Sequence, residues 1–167
     1  MKLVAAYLFR HRILVASYSQ ATTGMWIENH EYVQVPSDCI DAEIGALVIR
    51  QSAHCQIGIP HPDRRALSKG DWGLPRFAGA RSAAAFERGA HLVHVEWRGP
   101  SIAVTPQRRH GSAWEGLRDL ERIGPSDIAS EQLGALVREC LRVAADADAS
   151  PEDHAPRPAK SARVRRT

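Results

Sequence analysis

Residue types able to do chemistry are scattered through this 167-residue chain, and few stand at the spacings that chemistry requires. His54-Cys55 and His61-Pro62-Asp63 bring metal-ligand types close together. A zinc site needs three or four ligands at defined separations, such as two residues between paired cysteines, and this pair has no such spacing. Ser82, His91 and Asp119 supply the types of a nucleophile triad. No strand–turn–helix nucleophile motif surrounds Ser82, which reads better as a helix N-cap. Gly70-Asp71-Trp72-Gly73 is glycine-rich but lacks the lysine and the helix start of a phosphate loop, so it reads as a turn. No catalytic residue, metal or cofactor is expected, and the chain reads as a non-enzyme.

Two groups of charged residues point to binding. Gln107-Arg108-Arg109-His110, with Trp97 and Arg98, offers cations for phosphate and an aromatic for a base. Against it stands the charge balance. There are 22 Lys and Arg against 19 Asp and Glu, but five of the basic residues lie at the end of the chain, from Arg157 to Arg166. Without those five, 22 − 5 = 17 basic residues face 19 acidic ones, so apart from that basic end the chain has no broad basic footprint. The second group is acidic: Glu28, Glu31, Asp38, Asp41 and Glu43, with Glu115, Asp119, Glu121 and Asp127 as a counterpart. Carboxylates on such a stretch suit a basic cleft in a protein partner, where charge steers encounter and fixes register. Asp41 also reads as a helix cap.

The elements that must hold these residues are built twice. Pro36-Ser37-Asp38, five variable residues and Ile44-Gly45-Ala46-Leu47-Val48 return as Pro125-Ser126-Asp127, five residues and Leu133-Gly134-Ala135-Leu136-Val137. The offset is 125 − 36 = 89 residues, and it extends back through Leu3-Val4 with Leu92-Val93, Ile13 with Ile102 and Val15 with Val104. Trp26 and Trp114 miss this register by one residue, which a β-bulge can absorb.

Each unit reads as a β-hairpin, a further strand and a helix. Leu3–Phe9 and Ile13–Tyr18 form the first hairpin around Arg10-His11-Arg12, and Met25–Val35 the third strand, stopped by Pro36. Asp41 is expected to cap the first helix, with Gly45 allowing it to approach a sheet closely. Leu92–Arg98 and Ser101–Thr105 form the second hairpin, and Trp114–Ile123 is taken as strand or irregular by analogy with the first copy. Ser130 is expected to cap the second helix, whose stripe is Leu133, Leu136, Val137, Cys140 and Leu141. The link between units carries a short strand near Cys55–Ile59, a proline- and glycine-rich loop, and a helix over 82–88 anchored by Phe86.

The expected fold class is therefore α+β: one domain over 1–145 made of pseudo-repeats at about 1–60 and 90–145, then a disordered tail over 146–167 with a basic end. Three scattered cysteines suggest a reducing compartment without disulfides. The apolar run Leu3–Phe9 is too short to span a bilayer or to serve as a signal-peptide core with its cleavage site. The cytoplasm is the expected location, with no membrane partner.

Ser37–Leu47, Gly79-Ala80-Arg81-Ser82 with Phe86, the Leu92 hairpin ending at Val104-Thr105-Pro106, and Ser130–Gly134 resemble the CdiI-type immunity proteins of contact-dependent growth inhibition systems. That family carries a lysine and a tryptophan beside the serine, where this chain has Arg81 and Ala83. The resemblance implies a cytoplasmic protein that binds the C-terminal toxin domain of its cognate effector one to one and neutralises it. Such toxins are often nucleases, commonly tRNases. The toxin-binding residues expected on this chain are Glu28, Glu31, Asp38 and Glu43. The duplicated sheet-and-helix unit also resembles the Whirly type of single-stranded nucleic-acid binder, and a nucleic-acid-binding module is the alternative function.

Overall fold

The computed structural model describes residues 1–61, 73–111 and 113–149. Its elements are β1 (Lys2–Phe9), β2 (Arg12–Ala21), β3 (Trp26–Pro36), α1 (Asp41–Ser52), β4 (Ile57–Ile59), α2 (Gly73–Phe77), α3 (Ala83–Gly89), β5 (Ala90–Arg98), β6 (Ser101–His110), β7 (Ala113–Gly116), a 3-10 turn (Arg118–Leu120), β8 (Arg122–Pro125) and α4 (Ser130–Ala149). The fold is α+β, an eight-stranded sheet carrying helices. The sheet order is β3-β2-β1-β5-β6-β7, with β4 added to β2 and β8 to β6. All pairs are antiparallel except β2 with β4.

The duplication sets the sheet. The two units join through their first strands, β1 against β5, with Val4 opposite Val95 and Ala6 opposite Val93. At the repeat offset Val95 is the counterpart of Ala6 and Val93 of Val4, the reciprocal pairing that a two-fold relation requires. The outer ladders repeat too: Arg12 faces Pro36 on one side and Ser101 faces Pro125 on the other. Trp26 sits opposite Gln20, and Trp114 opposite Arg109, the counterpart of Gln20. The tryptophans thus hold equivalent places. In the first copy a register shift between Ala16 and Tyr18 takes up irregularity. In the second, the 3-10 turn breaks the strand into β7 and β8.

Alternation along the strands divides the core between the two faces. Val4, Ala6, Ile13, Val15, Val93, Val95, Ile102 and Val104 meet Ile44 and Val48 of α1 and Leu133, Val137, Cys140 and Leu141 of α4. On the other face Ala5, Tyr7, Phe9, Leu14, Ala16 and Leu92 meet Leu74 of α2 and Phe86 of α3. Phe86 lies 5.5 Å from the Tyr7 ring and 5.0 Å from the Phe9 ring. Ser82 caps α3 by accepting from the Ala85 N–H at 3.1 Å, as its position suggested.

The two large helices approach each other closely at Gly45 and Gly134. A Cβ on Gly45 would lie 1.8 Å from the Ser130 carbonyl oxygen, and one on Gly134 would lie 1.8 Å from that of Asp41. The close approach expected for Gly45 is real, but its partner is the other helix and not the sheet. The sheet contacts of α1 are made by Ile44 and Val48, on a different side of the helix. Asp41 is not the cap of α1. Ile40 holds that position without a side-chain bond, and Asp41 is the first helical residue. Its carboxylate instead accepts from Arg138 Nε of α4 at 2.6 Å. Arg138 also donates to the carbonyls of Ser37, at 2.6 Å, and Cys39. Ser130 likewise opens α4 as a helical residue, and the Leu133 N–H bonds to the Ala129 carbonyl at 3.0 Å.

Two further differences concern the link and the tail. The stretch from Gly73 to Phe77, expected as loop, is a helical turn with Leu74 buried in the second core. Pro75 lies in its first turn, where the missing N–H breaks no helical hydrogen bond. Helix α4 runs to Ala149, beyond the boundary expected at 145. Its last turns are alanine-rich, which favours helix. Asp148 fastens them to the sheet by accepting from His91 Nδ1 at 2.9 Å and from the Arg109 N–H at 2.9 Å. Residues 150–167, including the expected disordered basic end, lie outside the described residues.

Candidate functional site

The acidic residues expected to meet a partner all come from one flank, the outer strand β3 and the start of α1, and they occupy different environments there. Glu28 is turned toward the face covered by α2 and α3. It accepts from the Tyr18 hydroxyl at 3.2 Å and from the Tyr32 hydroxyl. Tyr18 and Tyr7 share a hydrogen bond of 3.0 Å, and His30 Nδ1 lies 3.0 Å from the Tyr32 hydroxyl. Burial pushes the hydroxyls of Tyr7 and Tyr18 above the usual tyrosine range. They remain neutral, and Tyr18 serves as a donor to the Glu28 carboxylate. Glu28 therefore anchors a partly buried polar chain.

Glu31 lies past the other end of α1, 2.8 Å from His54 Nδ1, with its side chain 56% exposed. Asp38 and Glu43 are exposed at the start of α1. The helix between those ends has 12 residues, a length of about 18 Å. The structure thus brings Asp38 and Glu43 to one end of the flank, holds Glu31 at the other, and turns Glu28 partly inward.

The corner between β1 and β2 adjoins the Asp38 end, because the Ser37 N–H donates to the His11 carbonyl at 2.9 Å. Arg10 has a φ of 57°, in the left-handed region. That conformation costs a non-glycine residue roughly 1–2 kcal/mol. Its counterpart in the second hairpin is Gly99, with φ 64°. The Arg10 guanidinium lies 5.0 Å above the Phe9 ring. A hollow of 310 Å3 opens here, lined by Phe9, Arg10, His11, Arg12, Leu14, Ala78 and Gly79.

The second half of the α2–α3 face carries a polar cluster. Strict alternation along β5 places His94, Glu96 and Arg98 together. Arg98 donates to Glu96 at 2.7 Å and to Glu121 at 2.9 Å, and Thr105 donates to Glu121 at 2.7 Å. Burial opposes the ionised form of Glu121, but Arg98, Thr105 and Arg118 outweigh it and hold the carboxyl below its usual range. Burial lowers His94 to about 4, so this imidazole is neutral near pH 7. The 3-10 turn is tied to the sheet by these bonds. The alternating run could have disclosed the triplet on β5. Glu121 belongs to the acidic counterpart stretch read in sequence, but its pairing with Arg98, 23 residues away, had no local signal.

The other sequence candidates are dispersed. Ser82 is a cap, His91 pairs with Asp148, and Asp119 sits in the 3-10 turn, so the three form no triad. His54 pairs with Glu31, and the Cys55 thiol donates to the Leu3 carbonyl at 3.3 Å. Among the described residues no group of three His, Cys, Asp or Glu side chains is placed to hold a metal. Asp63 and Gly70–Trp72 lie outside them. Arg98 and Arg108 stand at opposite ends of the β5–β6 ladder, about 23 Å apart along the strand. Arg98 is held by two carboxylates and Arg108 by Glu115 at 3.3 Å. The suggested basic and aromatic set is not one surface. Among the described residues no helix is long and apolar enough to cross a membrane.

No family model matches the sequence, and no curated protein matches it. Solved structures do match the fold. A chain of the CdiA-CT/CdiI toxin and immunity complex from Yersinia pseudotuberculosis superposes with a TM-score of 0.70 at 17% identity, covering 84% of this chain and 95% of that one. A protein of unknown function from Neisseria meningitidis superposes with a TM-score of 0.67 at 15% identity, covering 85% and 94%. The chain has the fold of a component of a toxin and immunity complex.

Proposed function

We propose that this protein is an immunity protein that binds the C-terminal toxin domain of a contact-dependent growth inhibition effector, one to one, and blocks it. The observation that carries this reading is the fold shared with a chain of the Yersinia toxin and immunity complex over 84% of the present chain. The step from fold to function is analogy, and the site supplies its physical content. Among the described residues, the side chains weighed for a triad and for a metal are dispersed among structural contacts, whereas charged side chains stand exposed along the β3–α1 flank. A nuclease toxin, commonly a tRNase, presents a basic cleft to its substrate, and carboxylates oppose that charge. Glu31, Asp38 and Glu43 are the exposed members of the toxin-binding set, and Glu28 is its partly buried member, held by Tyr18 and Tyr32. Inhibition is by occlusion, acts in the cytoplasm, and requires neither cofactor nor catalysis.

The test is co-expression with the toxin domain encoded immediately upstream. Rescue of growth and copurification of a stable complex are expected. Equal killing with and without this protein, and no complex, would overturn the reading. Salt-dependent binding of single-stranded nucleic acid in place of a complex would favour the alternative module. Glu31→Lys with Glu43→Lys should slow association with the toxin at low salt, and an unchanged rate would remove these residues from the interface.

A further inference from the structure

We infer that the β1–β2 corner is a carboxylate-binding site, built from Arg10, Arg12 and His11 over Phe9, that takes an acidic side chain of the protein partner. The inference rests on the immunity reading and names a second part of its interface.

The duplication provides the comparison that carries it. The two hairpins are built at the same offset, and both turn through a residue in the left-handed region. The second copy uses Gly99 there, the residue that tolerates this backbone freely. The first copy keeps Arg10 in the same conformation. Strain retained at a turn that has a relaxed solution elsewhere in the same chain indicates that the side chain is what is kept. The neighbouring positions differ in the same sense. His11 and Arg12 correspond to Pro100 and Ser101, so a basic triplet replaces a neutral turn.

The side chains are arranged for an anion. All three are exposed, and among the described residues none is ion-paired with a carboxylate. Arg12 donates to the neutral Gln34 at 3.3 Å. Asp38, just past the Ser37 N–H that bonds to His11, is exposed and makes no ion pair with the corner. Guanidinium forks match a carboxylate in bidentate geometry. The hollow that Arg10, His11 and Arg12 line is 310 Å3, and Phe9 and Ala78 give it an apolar part, which suits the aliphatic stem of an acidic side chain. A nucleic-acid backbone would need a wider basic footprint than three residues on a near-neutral body.

The experiment compares wild type, Arg10→Gly and Arg12→Gln against the upstream-encoded toxin domain. Arg10→Gly installs the residue that the second hairpin already uses, so it should fold, and its Tm should rise by about 2–4 °C. Its Kd for the toxin domain should rise about ten-fold or more, and Arg12→Gln should weaken binding in the same direction. Raised Tm with unchanged affinity in both variants would overturn the site and leave the immunity reading intact. A lowered Tm for Arg10→Gly would mark Arg10 as a folding residue and overturn it too. No complex with wild type would remove both readings. Loss of single-stranded RNA binding in these variants, without a toxin complex, would assign the corner to nucleic acid and overturn the carboxylate site.

Discussion

Replacing Gly45 by alanine tests how the two large helices meet. At an exposed mid-helix position this change stabilises by about 1 kcal/mol, because glycine carries more backbone entropy. Here the new Cβ would stand 1.8 Å from the Ser130 oxygen and 2.6 Å from its carbonyl carbon. Real Cβ atoms keep at least 3.0 Å from such neighbours, so the helices must part by roughly 3.0 − 1.8 = 1.2 Å. The obstacle is backbone, which cannot rotate aside as a side chain would. A gap of about 0.5–1 Å already forfeits a quarter to a half of each dispersion contact. Overpacking typically costs about 1–3 kcal/mol, and occasionally more. Taking the upper end for a backbone clash and subtracting the propensity gain leaves a net loss of about 2 kcal/mol. For a domain of this size that is a fall in Tm of about 4–8 °C. Thermal and urea unfolding of Gly45→Ala, Gly134→Ala and the double variant measure it. Both glycines sit on one seam, so the double variant should lose less than the sum of the singles. A Gly45→Ala protein with unchanged or raised Tm would refute this account of the helix pair.

Three other outcomes follow from the geometry. His94 titrates at 6.5 when unfolded and at about 4 in the folded protein, so its stabilisation is complete above pH 6.5 and is lost as pH falls toward 4. The loss approaches about 3 kcal/mol by pH 4, and His94→Gln should flatten the dependence of the urea midpoint on pH across that window; an identical slope would clear His94 of the effect. Arg138→Met removes the donors to Ser37, Cys39 and Asp41 and should cost about 1–3 kcal/mol in chemical unfolding, with no loss if those bonds are exchanged for water at no penalty. Phe86→Ala should cost about 3–5 kcal/mol and increase dye binding by exposing the Tyr7–Phe9 face, whereas a small loss would show that α3 contributes little to that core.

Much of the fold could be read from one dimension because it is written twice. The repeat offset carried the hairpins, the proline that ends the third strand, and the helix after it. It also pointed to strand or irregular structure over Trp114–Ile123, where the chain forms β7, a 3-10 turn and the start of β8. Local chemistry placed the Ser82 cap and the Phe86 anchor, since both depend on neighbours a few residues away. The failures share one cause. Asp41 looked like a cap because a cap is the best local use of an aspartate, but Arg138, 97 residues away, claims its carboxylate. Glu28 was read as outward-facing charge until Tyr18 and Tyr32 were brought across the ladder to it. His91 found Asp148 and Arg98 found Glu121 by the same kind of long-range encounter.

The sequence by itself determined the period of the elements, their order and their duplication, because these follow from alternation, helical spacing and turn residues along the chain. Only the tertiary structure decided how the two copies face each other. It set β1 against β5, crossed α1 over α4 at Gly45 and Gly134, and left Arg10 strained where Gly99 is relaxed. Those are contacts between residues far apart in sequence, whose energies exist only once both partners are in place.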